Sequence, residues 1–172
     1  MRKILLVVDM QNDFIDGALG SDEAVSILPA VAEKIAAFDG EIIFTRDTHF
    51  ENYLSTAEGK KLPVEHCIKN SHGWQISSAL SIPSGARIVD KETFGSVELA
   101  ETLRAENAEN PISQIEIVGL CTDICVIANA FLLKSFLPEC EISVNSALCR
   151  GVTPQSHGNA LAAIAACQIN VI

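Results

Sequence analysis

Residues 118–126, which read VGLCTDICV, are the stretch from which the fold and the chemistry of this chain can be worked out. An apolar run ends in a short polar turn, and Cys125 stands at the head of a new apolar segment. This order is typical of a buried strand that passes through a turn into a helix. A thiol near a helix N-terminus is favoured in its reactive, anionic form. The stretch therefore predicts that Cys125 is a nucleophile, with an inert core cysteine as the alternative.

Outward from this stretch, strand-like and helix-like segments alternate along the chain. Continuous apolar runs predict strands at residues 4–8, 41–45, 87–89, 115–118, 142–144 and 170–172. Helical spacing and capping residues predict a helix capped by Asp22, a short one at 76–80, and others at 96–104, 123–136 and from Pro154 onward. This alternation predicts a three-layer α/β/α fold with a six-stranded, mainly parallel sheet, in a single domain over residues 1–172.

Composition and charge narrow the class of partner. The chain has 172 residues, 48% of them apolar, and a formal net charge of −10. Nucleic acids and anionic membranes need clustered Lys and Arg, so a small-molecule partner is expected instead. The first apolar run has five residues before Asp9, too few for a signal-peptide core. We therefore expect a cytoplasmic protein whose six cysteines are free thiols.

Polar residues follow the predicted strands at positions that should share one edge of the sheet. Asp9 follows the first strand, Asp47 and His49 the second, Lys91 the third, and the turn leading to Cys125 the fourth. Ligands of parallel α/β sheets bind beyond the carboxyl ends of the strands. These scattered residues therefore form a candidate site.

The residues of this edge suit nucleophilic catalysis. Asp9 can accept the thiol proton, Lys91 can stabilise negative charge, and the backbone N–H groups of Cys121 and Cys125 can face an oxyanion. The alternative for Lys91, which lies between two acidic residues, is a solvated ion pair. Asp9 directly follows five buried-type residues, so its carboxylate favours a functional or capping role over a structural accident.

The long connection at residues 46–69 contains a second group of candidate ligands. Asp47, His49, Glu58 and His66 offer carboxylate oxygens and imidazole nitrogens, a mixed set that suits Zn, Mn or Fe(II). Their spacing matches no compact metal motif, so solvated loop residues with local hydrogen bonds are the alternative. His157, near the start of the last helix, is expected to be a surface or capping residue.

Four segments together resemble the isochorismatase-like cysteine hydrolases, most closely the nicotinamidase/pyrazinamidase branch. They read VVDMQNDF at 7–14, TRDTH at 45–49, a lysine at position 91 and GLCTDICV at 119–126. The resemblance runs in order through almost the whole chain. It implies a six-stranded parallel sheet, a catalytic triad of Asp9, Lys91 and Cys125, and a cis peptide between Leu120 and Cys121.

The same resemblance implies an activity, a metal cofactor and substrate-binding residues. It implies hydrolysis of nicotinamide or pyrazinamide-like aromatic amides through a cysteine thioester, a role in NAD salvage, and a homo-oligomer. A divalent metal ion would be held by Asp47, His49, Glu58 and His66, and substrate would contact Phe14 and Leu120. The aromatic residue expected just before His66 is missing, and the sequence leaves open whether Trp74 replaces it. The alternative is a metal-independent relative that acts on another small amide or on a vinyl ether.

Overall fold

The computed structural model describes residues 2–172 and contains one sheet of six parallel strands. The strand order is β3-β2-β1-β4-β5-β6. The strands are β1 (Arg2–Val8), β2 (Glu41–Asp47), β3 (Arg87–Lys91), β4 (Ile112–Leu120), β5 (Glu141–Arg150) and β6 (Asn170–Val171). The helices are α1 (Asn12–Ile15), α2 (Asp22–Ala37), α3 (Val97–Glu109), α4 (Ile127–Phe136) and α5 (Pro154–Ala166), with a 3₁₀ turn at Tyr53–Ser55.

Helices cover both faces of the sheet, which confirms the predicted α/β/α architecture. Alternate residues of β1 enter different cores: Leu6 packs with α3, α4 and α5, whereas Leu5 packs with α2. This is the pattern expected of a central parallel strand buried on both sides. No helix among residues 2–172 combines the length and the apolar character needed to cross a bilayer.

Three local predictions are wrong, each for an identifiable reason. Ser21, rather than Asp22, caps α2, because its hydroxyl accepts the Ala24 N–H at 3.1 Å. The segment predicted as a short helix at 76–80 instead begins extended, since Ile76 forms an antiparallel bridge with Gln11. The strands are also longer than predicted: β3 extends to Lys91 and β5 to Arg150, where polar residues continue the pairing.

A fourth difference lies directly after β4. A π-helical turn at Thr122–Val126 precedes α4, where a regular helix from about residue 123 was predicted. The Cys121 carbonyl accepts the N–H groups of Ile124 at 3.1 Å and Val126 at 3.0 Å, which widens the turn. The peptide between Leu120 and Cys121 is cis, as the resemblance implied. Cys125 therefore lies in a widened turn before the regular helix.

Gly119 allows this turn to lie against the neighbouring strand. Its φ is 115°, and a Cβ at this position would lie 2.2 Å from the carbonyl oxygen of Val8. Only glycine adopts this backbone conformation without strain.

Replacing Gly119 by alanine should therefore lower the free energy of unfolding by roughly 2–4 kcal/mol. The matched control is Gly158→Ala in α5, where a Cβ would meet no atom within 4 Å. That control should gain about 0.5–1 kcal/mol, because alanine favours a helix over glycine. Urea unfolding measures both variants, and equal stability of Gly119→Ala and the wild type would contradict this account.

Candidate active site

The carboxyl ends of four strands meet around the ammonium group of Lys91. Its Nζ lies 2.7 Å from Asp9 Oδ2, 3.2 Å from Asp47 Oδ1 and 3.5 Å from Cys125 Sγ. Asp47 and Lys91 are paired residues in the register of β2 and β3, so their side chains start side by side. All four side chains are buried, with at most 4% of each residue exposed. The structure thus brings together the three residues of the predicted triad.

The two carboxylate oxygens of Asp9 make different contacts. Its backbone adopts a left-handed φ of 48°, and its Oδ1 accepts the Thr45 hydroxyl at 2.6 Å. Oδ2 forms the ion pair with Lys91 but accepts no regular hydrogen bond from the residues described. Burial raises the pKa of Asp9, although the charge of Lys91 opposes this rise. Asp9 Oδ2 is therefore a buried basic atom that can accept a proton.

The Cys125 thiol is buried close to the Asp9 carboxylate and the Lys91 ammonium group. Burial raises its pKa well above that of a free thiol, as does the negative charge of Asp9, while Lys91 lowers it. A raised pKa favours the protonated thiol, so attack by the sulfur would need a base to remove its proton. Asp9, which contacts the same ammonium group, is the candidate base within the site.

The turn before Cys125 offers the predicted oxyanion donor. The Cys121 carbonyl is used twice within the turn, but the Cys121 N–H has no hydrogen-bond partner among residues 2–172. Burial raises the pKa of the Cys121 thiol to about 12, and it is the sulfur of Cys125 that the Lys91 ammonium group contacts. Cys121 can therefore act through its backbone, and Cys125 through its sulfur.

Three of the predicted metal ligands form a buried cluster beside Lys91. Ligand atoms of Asp47, His49 and His66 all lie within 4.8 Å of one another. His49 Nε2 is 2.8 Å from Asp47 Oδ2, and His66 Nε2 is 3.7 Å from the same oxygen. Glu58 is more exposed and lies at the rim, with Oε1 3.7 Å from His49 Nε2 and 3.9 Å from His66 Nε2.

The hydrogen bonds of this cluster fit a bound cation. His66 Nδ1 lies 2.8 Å from the Val64 carbonyl, so it carries the proton and leaves Nε2 as a lone pair facing the cluster. His49 Nε2 is buried without a regular hydrogen-bond partner among the described residues. Burial alone would lower the pKa of His49, but Asp47 and Glu58 raise it on balance. The cluster thus favours positive charge at its centre, which a proton or a metal ion can supply.

Two aromatic rings lie beside His49 and His66, and the sequence analysis did not predict the second of these rings. The Phe14 ring lies 5.5 Å from that of His66, edge-on. The Tyr53 ring lies 4.6 Å from His49 and 5.0 Å from His66. Tyr53, rather than Trp74, is therefore the second aromatic beside the cluster.

Trp74 and Leu120 have packing contacts close to the site. Trp74 donates its indole N–H to Thr48 at 2.9 Å, and the Arg46 guanidinium lies 3.5 Å above its ring. Leu120 is 1% exposed at the end of β4, in the core against which Phe14 packs. Trp74 therefore packs against the end of β2 and the start of the loop that follows it, through Arg46 and Thr48.

Two further polar residues support the site, and sequence reasoning missed the first of them. Gln11 is fully buried: its amide accepts the Asp47 N–H at 2.7 Å and donates to the Asp47 carbonyl at 2.8 Å. A polar residue so soon after a buried strand was the available signal. His157 is half-buried near the start of α5; Thr153 caps that helix, and His157 Nδ1 lies 2.9 Å from the Thr122 hydroxyl.

Comparison with known proteins identifies the family of this chain. The family model of the isochorismatase domain matches residues 3–172. The chain therefore belongs to the isochorismatase family and is an isochorismatase-like hydrolase. No curated protein matches it.

Solved structures with the same fold include several amide hydrolases. A zinc complex of pyrazinamidase from Pyrococcus horikoshii has a TM-score of 0.85 at 28% identity, covering 100% of this chain and 99% of that one. A nicotinamidase from Bacillus subtilis has a TM-score of 0.82 at 23% identity, covering 99% of each chain. N-carbamoylsarcosine amidase from Thermoplasma acidophilum has a TM-score of 0.80 at 22% identity, covering 99% of this chain and 95% of that one.

Replacing Lys91 by methionine should destabilise the protein by about 3–5 kcal/mol near neutral pH, because it leaves the Asp9 carboxylate buried and unpaired. The pKa of Asp9 should then rise further, so the folded state binds a proton that the unfolded state releases. The loss should accordingly shrink as pH falls towards about 4, the unfolded pKa of a carboxylate.

The control is Lys69→Met, because the Lys69 side chain is 44% exposed and its Nζ lies 4.0 Å from Asp90 Oδ2. An exposed pair of this kind contributes less than about 1 kcal/mol. Urea unfolding across the pH range compares the two variants. A loss for Lys91→Met as small as that of the control would show that the buried ion pair does not stabilise the site.

Proposed function

We propose that this hydrolase is a metal-dependent amidase that converts nicotinamide and pyrazinamide-like aromatic amides to the acid and ammonia. The observation that carries the proposal is the position of Lys91. Its ammonium contacts both other members of the triad and also Asp47, a member of the Asp-His-His cluster. The sulfur that would attack the carboxamide therefore lies close to the residues that would bind a metal ion, and that ion would contact the ring nitrogen of the substrate.

The first step in this proposal forms a thioester. Asp9 Oδ2 takes the thiol proton while the sulfur electron pair of Cys125 attacks the carboxamide carbon. The Cys121 and Cys125 N–H groups bind the resulting oxyanion, and Lys91 stabilises the negative charge that moves between sulfur and Asp9. When the carbonyl forms again, the C–N bond breaks and protonated Asp9 gives its proton to the departing ammonia.

The second step regenerates the free enzyme. Asp9, again a carboxylate, removes a proton from a water molecule as the water oxygen attacks the thioester carbon. The C–S bond breaks, the acid leaves, and the proton held by Asp9 returns to the Cys125 sulfur. The net reaction consumes one amide and one water and yields one acid and one ammonia.

Four side chains would hold the metal ion in this proposal: Asp47, His49 and His66, with Glu58 reaching in from the rim. A divalent cation bound there supplies a Lewis acid for the lone pair of a ring nitrogen. Phe14 is half-buried beside His66, so an aromatic ring beside the cluster would meet its apolar surface. Zn, Mn and Fe(II) all suit such mixed oxygen and nitrogen ligands.

The resemblance to N-carbamoylsarcosine amidase makes another small amide the alternative substrate class. Ammonia release from nicotinamide, pyrazinamide and open-chain amides, with and without a chelator, separates the two. Nicotinamide turnover that the chelator abolishes supports the proposal. Turnover of open-chain amides alone would contradict it. The expected cytoplasmic location and homo-oligomer remain predictions beside it.

Replacing Cys125 by alanine should abolish ammonia release from nicotinamide, because it removes the sulfur on which the proposed thioester forms. The small change should leave the protein folded, as circular dichroism can verify. Cys167→Ala is the matched control, since Cys167 is exposed and should be dispensable. Normal turnover by Cys125→Ala would refute the assignment of the nucleophile.

Replacing His49 by alanine or Glu58 by glutamine should lower the metal bound per chain, because each change removes a ligand. The loss should be larger for the buried His49 than for Glu58 at the rim. His72→Ala is the control, as His72 is an exposed histidine outside the cluster. Elemental analysis of purified protein gives the stoichiometry. Equal metal content in all four proteins would count against this ligand set.

A further inference from the structure

The distance between Lys91 and Cys125 is not set by the sheet itself. Lys91 ends β3 and Cys125 follows β4, and β2 and β1 lie between these two strands. Some contact above the edge of the sheet must therefore hold the two segments at the observed separation of 3.5 Å between Nζ and Sγ.

Asn129 makes such a contact on the Cys125 side. It lies on α4 four residues after Cys125, and side chains on a helix point back towards its N-terminus. Its Nδ2 donates to the Cys125 carbonyl at 2.8 Å. Asn129 is 1% exposed, so this polar side chain is part of the buried interior.

The same amide group also binds the loop that follows Lys91. Asn129 Oδ1 accepts the Ser96 N–H at 3.0 Å, and Nδ2 donates to the Phe94 carbonyl at 3.2 Å. Ser96 is the capping residue of α3, and its hydroxyl accepts the Leu99 N–H at 3.1 Å. One side chain therefore joins the nucleophile turn to the segment that leads away from Lys91.

Gly95 lets this loop come close enough for the amide to reach it. A Cβ at Gly95 would lie 2.6 Å from Leu132 Cδ1 and 3.1 Å from the carbonyl carbon of Ala128. The loop backbone thus lies directly against α4. Close backbone contact and a buried amide that makes three hydrogen bonds together give a rigid joint.

We propose that Asn129 is a positioning residue that sets the distance between Lys91 Nζ and Cys125 Sγ by joining the nucleophile turn to the 92–96 loop. This inference rests on the proposed function, because it gives Lys91 and Cys125 roles in one reaction. Asn129 has no contact with the metal cluster or its flanking rings among the hydrogen bonds and ring contacts described. Its loss should therefore affect the reaction step rather than substrate binding.

The test replaces Asn129 by alanine and by serine. Serine can still donate to the carbonyl four residues earlier but is too short to hold the 92–96 loop, so both variants lose the joint. The expected result is a kcat about 10- to 100-fold lower with KM within about twofold, since displacements of about 1 Å have effects of this size. Crystal structures of the variants should show a longer Lys91–Cys125 separation.

Asn145→Ala is the matched control, because Asn145 also donates its amide N–H, at 3.0 Å to Glu116, but does so on β5. It should keep the wild-type kcat and the wild-type separation. If Asn129→Ala does not fold, Asn129→Ser carries the test alone. An unchanged separation, or an unchanged kcat, in a folded Asn129 variant overturns the inference. If the wild type hydrolyses none of the amides tested, the proposed function fails, whereas the crystallographic distance still decides the role of Asn129.

Discussion

The ammonium group of Lys91 is buried at the point where three strand ends and the turn after a fourth meet. Burial would normally lower the pKa of such a lysine, but the negative charges of Asp9 and Asp47 raise it. The lysine therefore stays charged inside the protein. Because the two buried carboxylates are both paired with that charge, Lys91, Asp9 and Asp47 form one electrostatic unit, and removing the lysine would destabilise both carboxylates.

This unit explains how one small domain can combine two kinds of chemistry. Asp9 pairs with Lys91 through Oδ2, which can also accept a proton. Asp47 pairs with Lys91 through one oxygen and with the histidine cluster through the other. A cation bound by the cluster would thus be connected to the proposed nucleophile Cys125 through Asp47 and Lys91. Gln11 fixes the backbone of Asp47 on its other side, which keeps this shared residue in place.

Much of this arrangement could be predicted, because the signals were local or followed from sheet topology. Asp9 and Lys91 lie where buried strands end, and parallel strands bring such ends together. The π-helical turn and the bond from His157 to Thr122 could not be predicted, since they depend on how the turn after β4 meets α5. Tyr53 was missed for a similar reason: it lies in a polar loop and reaches the histidines only through the fold of that loop.

The central claim is that the sulfur of Cys125 carries the acyl group during turnover. The most direct test mixes enzyme with nicotinamide, stops the reaction with acid after a fraction of one turnover, and measures the mass of the intact protein. The account predicts a protein heavier by one pyridine-carbonyl group, and peptide mapping should place that group on Cys125. Product formation without any acylated enzyme, or acylation of a different residue, would contradict it.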